Sequence, residues 1–228
     1  MITIITNGKR RKAPTCWREV TTDQAQRIAR DWDCTDKIKL FNILTGTEYA
    51  KVRDSTELGS KFWDVIQFAY FPAEVRNAKM PKVFKLNGKY LSIPKKVGRL
   101  SVGQAIAVRQ KMEQVQARLE SAMKQDPDFK KYCFKDNFFF DELVSFACAV
   151  YFQPQYDDAP FDDERAEQLE ADILKMPITD VYPVGFFFLN QQLNYGKRSM
   201  PVFLQRIARR MPSVRAFLEW LRWKSLPR

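Results

Sequence analysis

The stretch FFFDELVSFACAVYF, from Phe138 to Phe152, is apolar on nearly every side if it is wound as a helix. A helix with one polar side can lie on a protein surface, but one that is apolar all round has to be enclosed. The run falls short of the roughly 20 residues that cross a bilayer, and no other apolar run in the chain approaches that length. Enclosure therefore has to come from the rest of the chain. The segment is expected to be the central helix of a fold whose other elements wrap it.

The flanking sequence supplies those elements. ITIIT at Ile2–Thr6 reads as a short strand that ends at a basic turn around Asn7 and Gly8. Thr22 can cap a helix whose Ala25, Ile28, Ala29 and Trp32 recur at three- and four-residue spacing. A second helix starts near Thr35–Asp36, carries Ile38, Phe41, Ile43 and Leu44, and stops at Gly46. Phe62, Val65, Ile66 and Ala69 mark another helix, ended by Pro72. In VFKLNGKYLSIP two alternating segments are joined by Asn87-Gly88, the pair best suited to a two-residue turn with positive φ at both positions. This hairpin is read as a cover on one side of a helical core; a projecting arm that pairs with a neighbouring sheet is the other reading.

Ser101 and Gln104 form a capping box for a helix reaching about Lys124, with Val102, Ile106, Met112, Val115, Leu119 and Met123 as its apolar stripe. Asp162 or Asp163 caps an acidic helix to Leu174. MPITDVYPVGFFFLNQQ (Met176–Gln192) holds three consecutive phenylalanines past two prolines and a glycine; with Pro177 opening a turn and Pro183 close to a helix start, it is read as a short buried helix packed on the Phe138–Phe152 helix. Pro201 opens a C-terminal amphipathic helix with Phe203, Ile207, Met211, Val214, Phe217, Leu218 and Leu221 on one face. The chain is thus expected to be mostly α: a helical bundle-like domain with one β-hairpin (83–93) and a short N-terminal strand. Three regions are distinguished: an N-terminal helical region (1–80), the hairpin with the central helical core (81–196), and a basic amphipathic segment (197–228), together one compact domain plus a tail.

Function is bounded first by an absence. The sequence has no histidine, which removes Ser-His-Asp and Cys-His catalysis and every His-ligated metal site. No glycine-rich phosphate loop is present, and the four cysteines form no CxxC pair, as in a reduced, intracellular chain. The N-terminus places its charges after a short apolar patch, the reverse of a secretory signal. No catalytic residue, cofactor or metal is expected.

Charge is unevenly laid out. The formal net charge is +11, with nine basic residues against Glu219 in Lys197–Arg228 and eight acids against Arg165 in Tyr156–Asp172. A local basic knot sits at Lys9, Arg10, Arg11 and Lys12. Opposite blocks fit folding against each other or docking between copies. The acids of YDDAPFDDE could in principle ligate Mg²⁺ or Ca²⁺, but capping and the helix dipole already explain carboxylates at a helix start. The C-terminal helix has a core-like spacing rather than that of a membrane-surface helix. Partner contacts are assigned to Arg206, Arg209, Arg210, Trp220 and Trp223, with Asp157, Asp158, Asp162 and Asp163 as the complementary acids. Lys9, Arg10, Arg11 and Lys12 are the candidates for phosphate contact.

The order FNILTG (Phe41–Gly46), VFKLNGKYLSIPK, the helix capped at Ser101, and LKMPITDVYPVGFFFLNQQL (Leu174–Leu193) resembles small virion accessory proteins of tailed bacteriophages, the neck, ring and tail-assembly proteins. The resemblance spans about residues 17 to 195 and leaves Lys197–Arg228 outside it. It implies a non-enzymatic structural component of the neck, ring or tail connector. Such a protein would work as a ring-like homo-oligomer beside portal or tail proteins, a virion protein assembled in the host cytoplasm, with no membrane partner. The alternatives are a tail-assembly chaperone or a nucleic-acid-binding accessory protein contacting DNA.

Overall fold

The computed structural model describes residues 1–6, 9–31, 36–48, 52, 61–70, 73–95, 100–125 and 141–195. It is mostly α, with two small antiparallel strand pairs. Ile2–Thr6 (β1) pairs with Lys9–Ala13 (β2), Ile2 opposite Ala13 and Thr6 opposite Lys9. The N-terminal strand thus has a partner that the sequence reading did not give it. KRRKA shows no apolar alternation, and only Ala13, buried beside Ile4, betrays its inward face. The expected turn at Asn7 and Gly8 lies outside the described residues.

A 3-10 turn at Trp17–Glu19 leads into α1 (Thr22–Asp31). The cap of α1 is Thr21, not Thr22. Thr21 Oγ1 accepts from Gln24 N at 3.2 Å while Gln24 Oε1 accepts from Thr21 N at 2.9 Å, a reciprocal capping box. Thr22 is buried, and its hydroxyl donates to the Met176 carbonyl at 3.0 Å. Helix α2 (Lys37–Thr45) starts at Asp36, which accepts from Lys39 N, and ends at Gly46 with φ +65, the left-handed conformation that glycine adopts without strain. Helix α3 (Lys61–Ile66) runs on as a 3-10 turn to Tyr70, and a short α4 spans Ala73–Arg76.

Strands β3 (Val83–Leu86) and β4 (Lys89–Ser92) form the expected hairpin, with φ +48 at Asn87 and +81 at Gly88. Phe84, Leu86 and Leu91 are buried, so one face of the hairpin covers the helical core. Helix α5 (Val102–Gln125) has the Ser101/Gln104 box, and Met112 and Val115 of the expected stripe pack inward, but its first two turns are set differently. Ala107, Val108 and Val115 are buried, whereas Val102 is 77% and Ile106 49% exposed. In those turns Ala107 and Val108 face the core in place of Val102 and Ile106.

Helix α6 (Asp141–Asp157) is the central element, buried without a break from Leu143 to Val150; Phe138–Phe140 lie outside the described residues. Pro154 stands inside it and cannot donate to the Val150 carbonyl one turn back. Gln104 Nε2 donates to that carbonyl instead, at 2.9 Å. Gln24 does the same for the end of α2, donating to Leu44 O at 2.8 Å. Each capping-box glutamine therefore satisfies an orphaned carbonyl of a second helix. Helix α7 (Asp163–Ile173) is capped by Asp162, and α8 (Ile178–Tyr195) packs along α6. The Phe186–Phe188 run sits in α8, which is longer than expected because it starts before Pro183 rather than at it.

Two buried clusters result. One gathers Ile4, Trp17, Leu40, Phe41, Val65 and Ile66; the other gathers Phe84, Val108, Val144, Phe152, Ile173 and Phe188. Ile178 of α8 lies in the first and Val181 onward in the second. The clusters are laced together by Thr22 N to Met176 O (2.8 Å), Asp23 N to Leu174 O (3.0 Å) and Ile178 N to Val20 O (3.0 Å).

Candidate functional site

The basic knot is split by the strand that carries it. Alternation along β2 puts Arg11 on the same side as Ile4 and Ala13, where its Nη1 donates to the Gly46 carbonyl at 3.1 Å. Arg10 and Lys12 stand on the opposite face with Ile5, which is 46% exposed. Four consecutive charges in sequence are thus two outward cations, one inward guanidinium and an exposed Lys9 at the strand end.

The acidic block divides as well. Asp157 pairs with Arg165 at 2.9 Å and accepts from the buried Gln153 at 3.0 Å, so its carboxyl is held below the ordinary aspartate range, chiefly by the arginine. Gln153 also accepts from Asp162 N, fixing the bend between α6 and α7 where Asp158 adopts φ +51. Asp162 is spent on the cap, and Asp172 takes Lys175 at 2.6 Å and Asn87 at 2.7 Å, which lower its pKa in that order. Left facing solvent, with no side-chain partner among the described residues, are Asp158, Asp163, Glu164 and Glu167. No group of three or more carboxylates or thiols suited to a metal occurs among the described residues.

Glu170 lies inward, against α6 and α5. Its Oε1 accepts from the Ser145 hydroxyl at 2.7 Å, Ser145 accepts from Gln26 of α1 at 2.8 Å, and Lys111 of α5 sits 3.4 Å from Oε2. The Lys111 ammonium also lies 4.9 Å from the centre of the Phe146 ring. Beside this cluster Glu142 meets Arg118 and, at 3.8 Å, Arg30. Four helices therefore meet in one polar seam, drawn from residues far apart in sequence. Nothing local marks Gln26, Lys111, Ser145 and Glu170 as a set.

Burial pushes Glu170 above the ordinary glutamate range; Lys111 and the Ser145 hydrogen bond oppose this in part, and Glu142 adds to it. A carboxyl whose folded pKa is raised stabilises the fold fully below its unfolded value, and that contribution is lost as pH rises through the folded value. Going from about pH 7 to about pH 5, this group therefore adds stability, opposite in sign to Asp157 and Asp172, whose contribution is lost only in stronger acid. Glu170→Gln keeps an acceptor for Ser145 and removes the titration. The stability of the variant relative to wild type should fall as the pH is lowered over that range, read as melting temperature in matched buffers. A difference that does not change with pH would show that Glu170 does not titrate there.

A further one-signed stretch lies outside the charge blocks. Between Glu74 and Glu113 the sequence holds ten lysines and arginines and no acid, and the β3–β4 hairpin lies within that interval. Tyr90 is 71% exposed, with the Lys85 ammonium 5.4 Å from its ring centre. Arg206, Arg209, Arg210, Trp220 and Trp223 lie outside the described residues. No helix among the described residues is long and apolar enough to cross a membrane. In comparison with known proteins, the chain matches no family profile, no curated protein and no solved structure.

Proposed function

We propose that the chain is a non-enzymatic assembly protein and, following its resemblance to tailed-phage accessory proteins, a neck, ring or tail-connector component of a virion that works as a homo-oligomer. The observation that carries this reading is the outward acidic set of the α6–α7 bend and the first half of α7, Asp158, Asp163, Glu164 and Glu167, on a chain of net charge +11. Half of the acids of Tyr156–Asp172 are used within the fold, and the other half are presented without partners among the described residues. A patch of one sign on one copy and a segment of the other sign on the next make a heterologous contact, which closes into a ring when the rotation allows. The basic complement is the Lys197–Arg228 segment, with Arg206, Arg209, Arg210, Trp220 and Trp223 as its anchors.

The test is the mass of the full chain in solution at low and high salt. An oligomer at low salt that dissociates as screening rises, and that is lost in a Glu164→Lys/Glu167→Lys variant, supports the reading. A monomer at every salt concentration, alone and with neighbouring virion proteins, would discard it.

A further inference from the structure

The β3–β4 hairpin is fixed on one side and open on the other. On the β4 side Gln155 of α6 holds Ser92 through both backbone groups, accepting from Ser92 N at 3.2 Å and donating to Ser92 O at 3.4 Å. The tip is fastened by Asn87 Nδ2 to Asp172 at 2.7 Å and by Lys89 Nζ to the Tyr156 carbonyl at 2.7 Å. Underneath, Phe84 stacks on Phe152 with ring centres 4.6 Å apart. These contacts leave β3 as the outer strand.

The register decides which groups β3 presents. Leu86 and Lys89 close the two-residue turn and are a hydrogen-bonded pair, so Phe84–Leu91 is the next such pair. Lys85 and Val83 fall between, and their N–H and C=O groups point away from β4. No described residue hydrogen-bonds them. The Val83 side chain is 45% exposed, and Lys79, Lys82, Lys85 and Lys95 are exposed with no carboxylate paired to them among the described residues.

We infer that the outer edge of β3 receives an extended, acidic segment of another protein, which adds as a third strand over Val83–Lys85 with its carboxylates against Lys82 and Lys85. The free backbone groups call for a polypeptide strand, since a nucleic acid offers no ladder to complete them. The lysines set the sign. Lysine on an open edge is also the usual guard against edge-to-edge pairing, and here it repels a second copy of the same edge while admitting an acidic strand. Because the hairpin is held in place before binding, little ordering cost falls on this side of the contact. The surface is separate from the α7 acids of the assembly reading, so either can fail without the other.

A short synthetic peptide alternating glutamate and valine is the probe, titrated against the full chain at two salt concentrations. Binding should weaken with salt, and Lys85→Pro should weaken it about tenfold beyond a Lys85→Gln charge control, because proline removes the outward N–H yet fits an edge strand. A Lys82→Glu/Lys85→Glu variant, which leaves the backbone untouched, should abolish binding; circular dichroism checks that each variant is folded. The inference fails if the peptide does not bind, or if Lys85→Pro binds as Lys85→Gln does. It also fails if duplex DNA binds through the same lysines and the peptide does not. Slow exchange of the Val83 and Lys85 amides in the protein alone would overturn it too, since the edge would already be filled.

Discussion

A Gly185→Ala variant is expected to lose about 3 kcal/mol of stability, read from denaturant unfolding, although alanine is ordinarily the better helix former by roughly 1 kcal/mol. The reason is where α8 crosses α6. A Cβ built on Gly185 falls 2.2 Å from the Val144 carbonyl oxygen, 2.7 Å from Val144 Cγ1 and 2.8 Å from the Val144 carbonyl carbon. The closest obstacle is backbone, in the stretch of α6 that is buried on every side, so it cannot swing aside as a side chain could. Accommodation requires α8 to move off α6, which opens the contact of Phe188 and Val184 with the second cluster. Gly103 is the control. Its Cβ would meet the Phe161 ring at 3.1 Å and Ser101 Oγ at 4.0 Å, side chains rather than backbone, and Gly103→Ala should stay within about 1 kcal/mol of wild type. Equal losses at the two sites would refute the close-approach explanation.

Gly185 also marks where the sequence stopped being readable. In YPVGFFF the proline and glycine look like punctuation, and reading Pro183 as near a helix start shortens α8. Helices tolerate such residues when a neighbour demands it, and that demand sits at Val144, far away in sequence. The same holds for the polar seam of Gln26, Lys111, Ser145 and Glu170, each unremarkable in its own segment. What could be read was local chemistry with one solution. Asn87-Gly88 fixes a turn because both residues take positive φ, Gly46 stops α2 for the same reason, and Ser101, Asp36 and Asp162 cap because their side chains reach the first free amides. The second strand pair was hidden because KRRKA is a strand by partnership rather than by pattern. The charge blocks were legible as composition, but only the fold separates Asp157, Asp162, Glu170 and Asp172, used internally, from the four acids left outside.

Phe152→Ala is expected to cost about 4 kcal/mol, a large part of the roughly 5–15 kcal/mol that holds a domain of this kind together. Phe152 is fully buried, with Phe84 of the hairpin stacked on it at 4.6 Å and Phe188 of α8 meeting it edge-on at 5.3 Å. Removing the ring therefore leaves a cavity where α6, α8 and the hairpin converge, and forfeits two aromatic pairs worth about 0.5–1.5 kcal/mol each beyond area. Two strands are marginal alone, so the hairpin depends on this ring for its place. Hydrogen exchange should show the ladder amides of Phe84 and Leu91 opening before those of α6 in the variant, whereas in wild type they should be protected together. Phe152→Leu, which keeps most of the volume, should lose less than about 2 kcal/mol. In a cycle with Phe84→Leu it should show a coupling of about 1 kcal/mol, because the stacked pair is broken by either change. If Phe152→Ala costs little, or if the two leucine variants simply add, the hairpin is held by its tip and edge hydrogen bonds to Asp172, Tyr156 and Gln155 rather than by its ring stack.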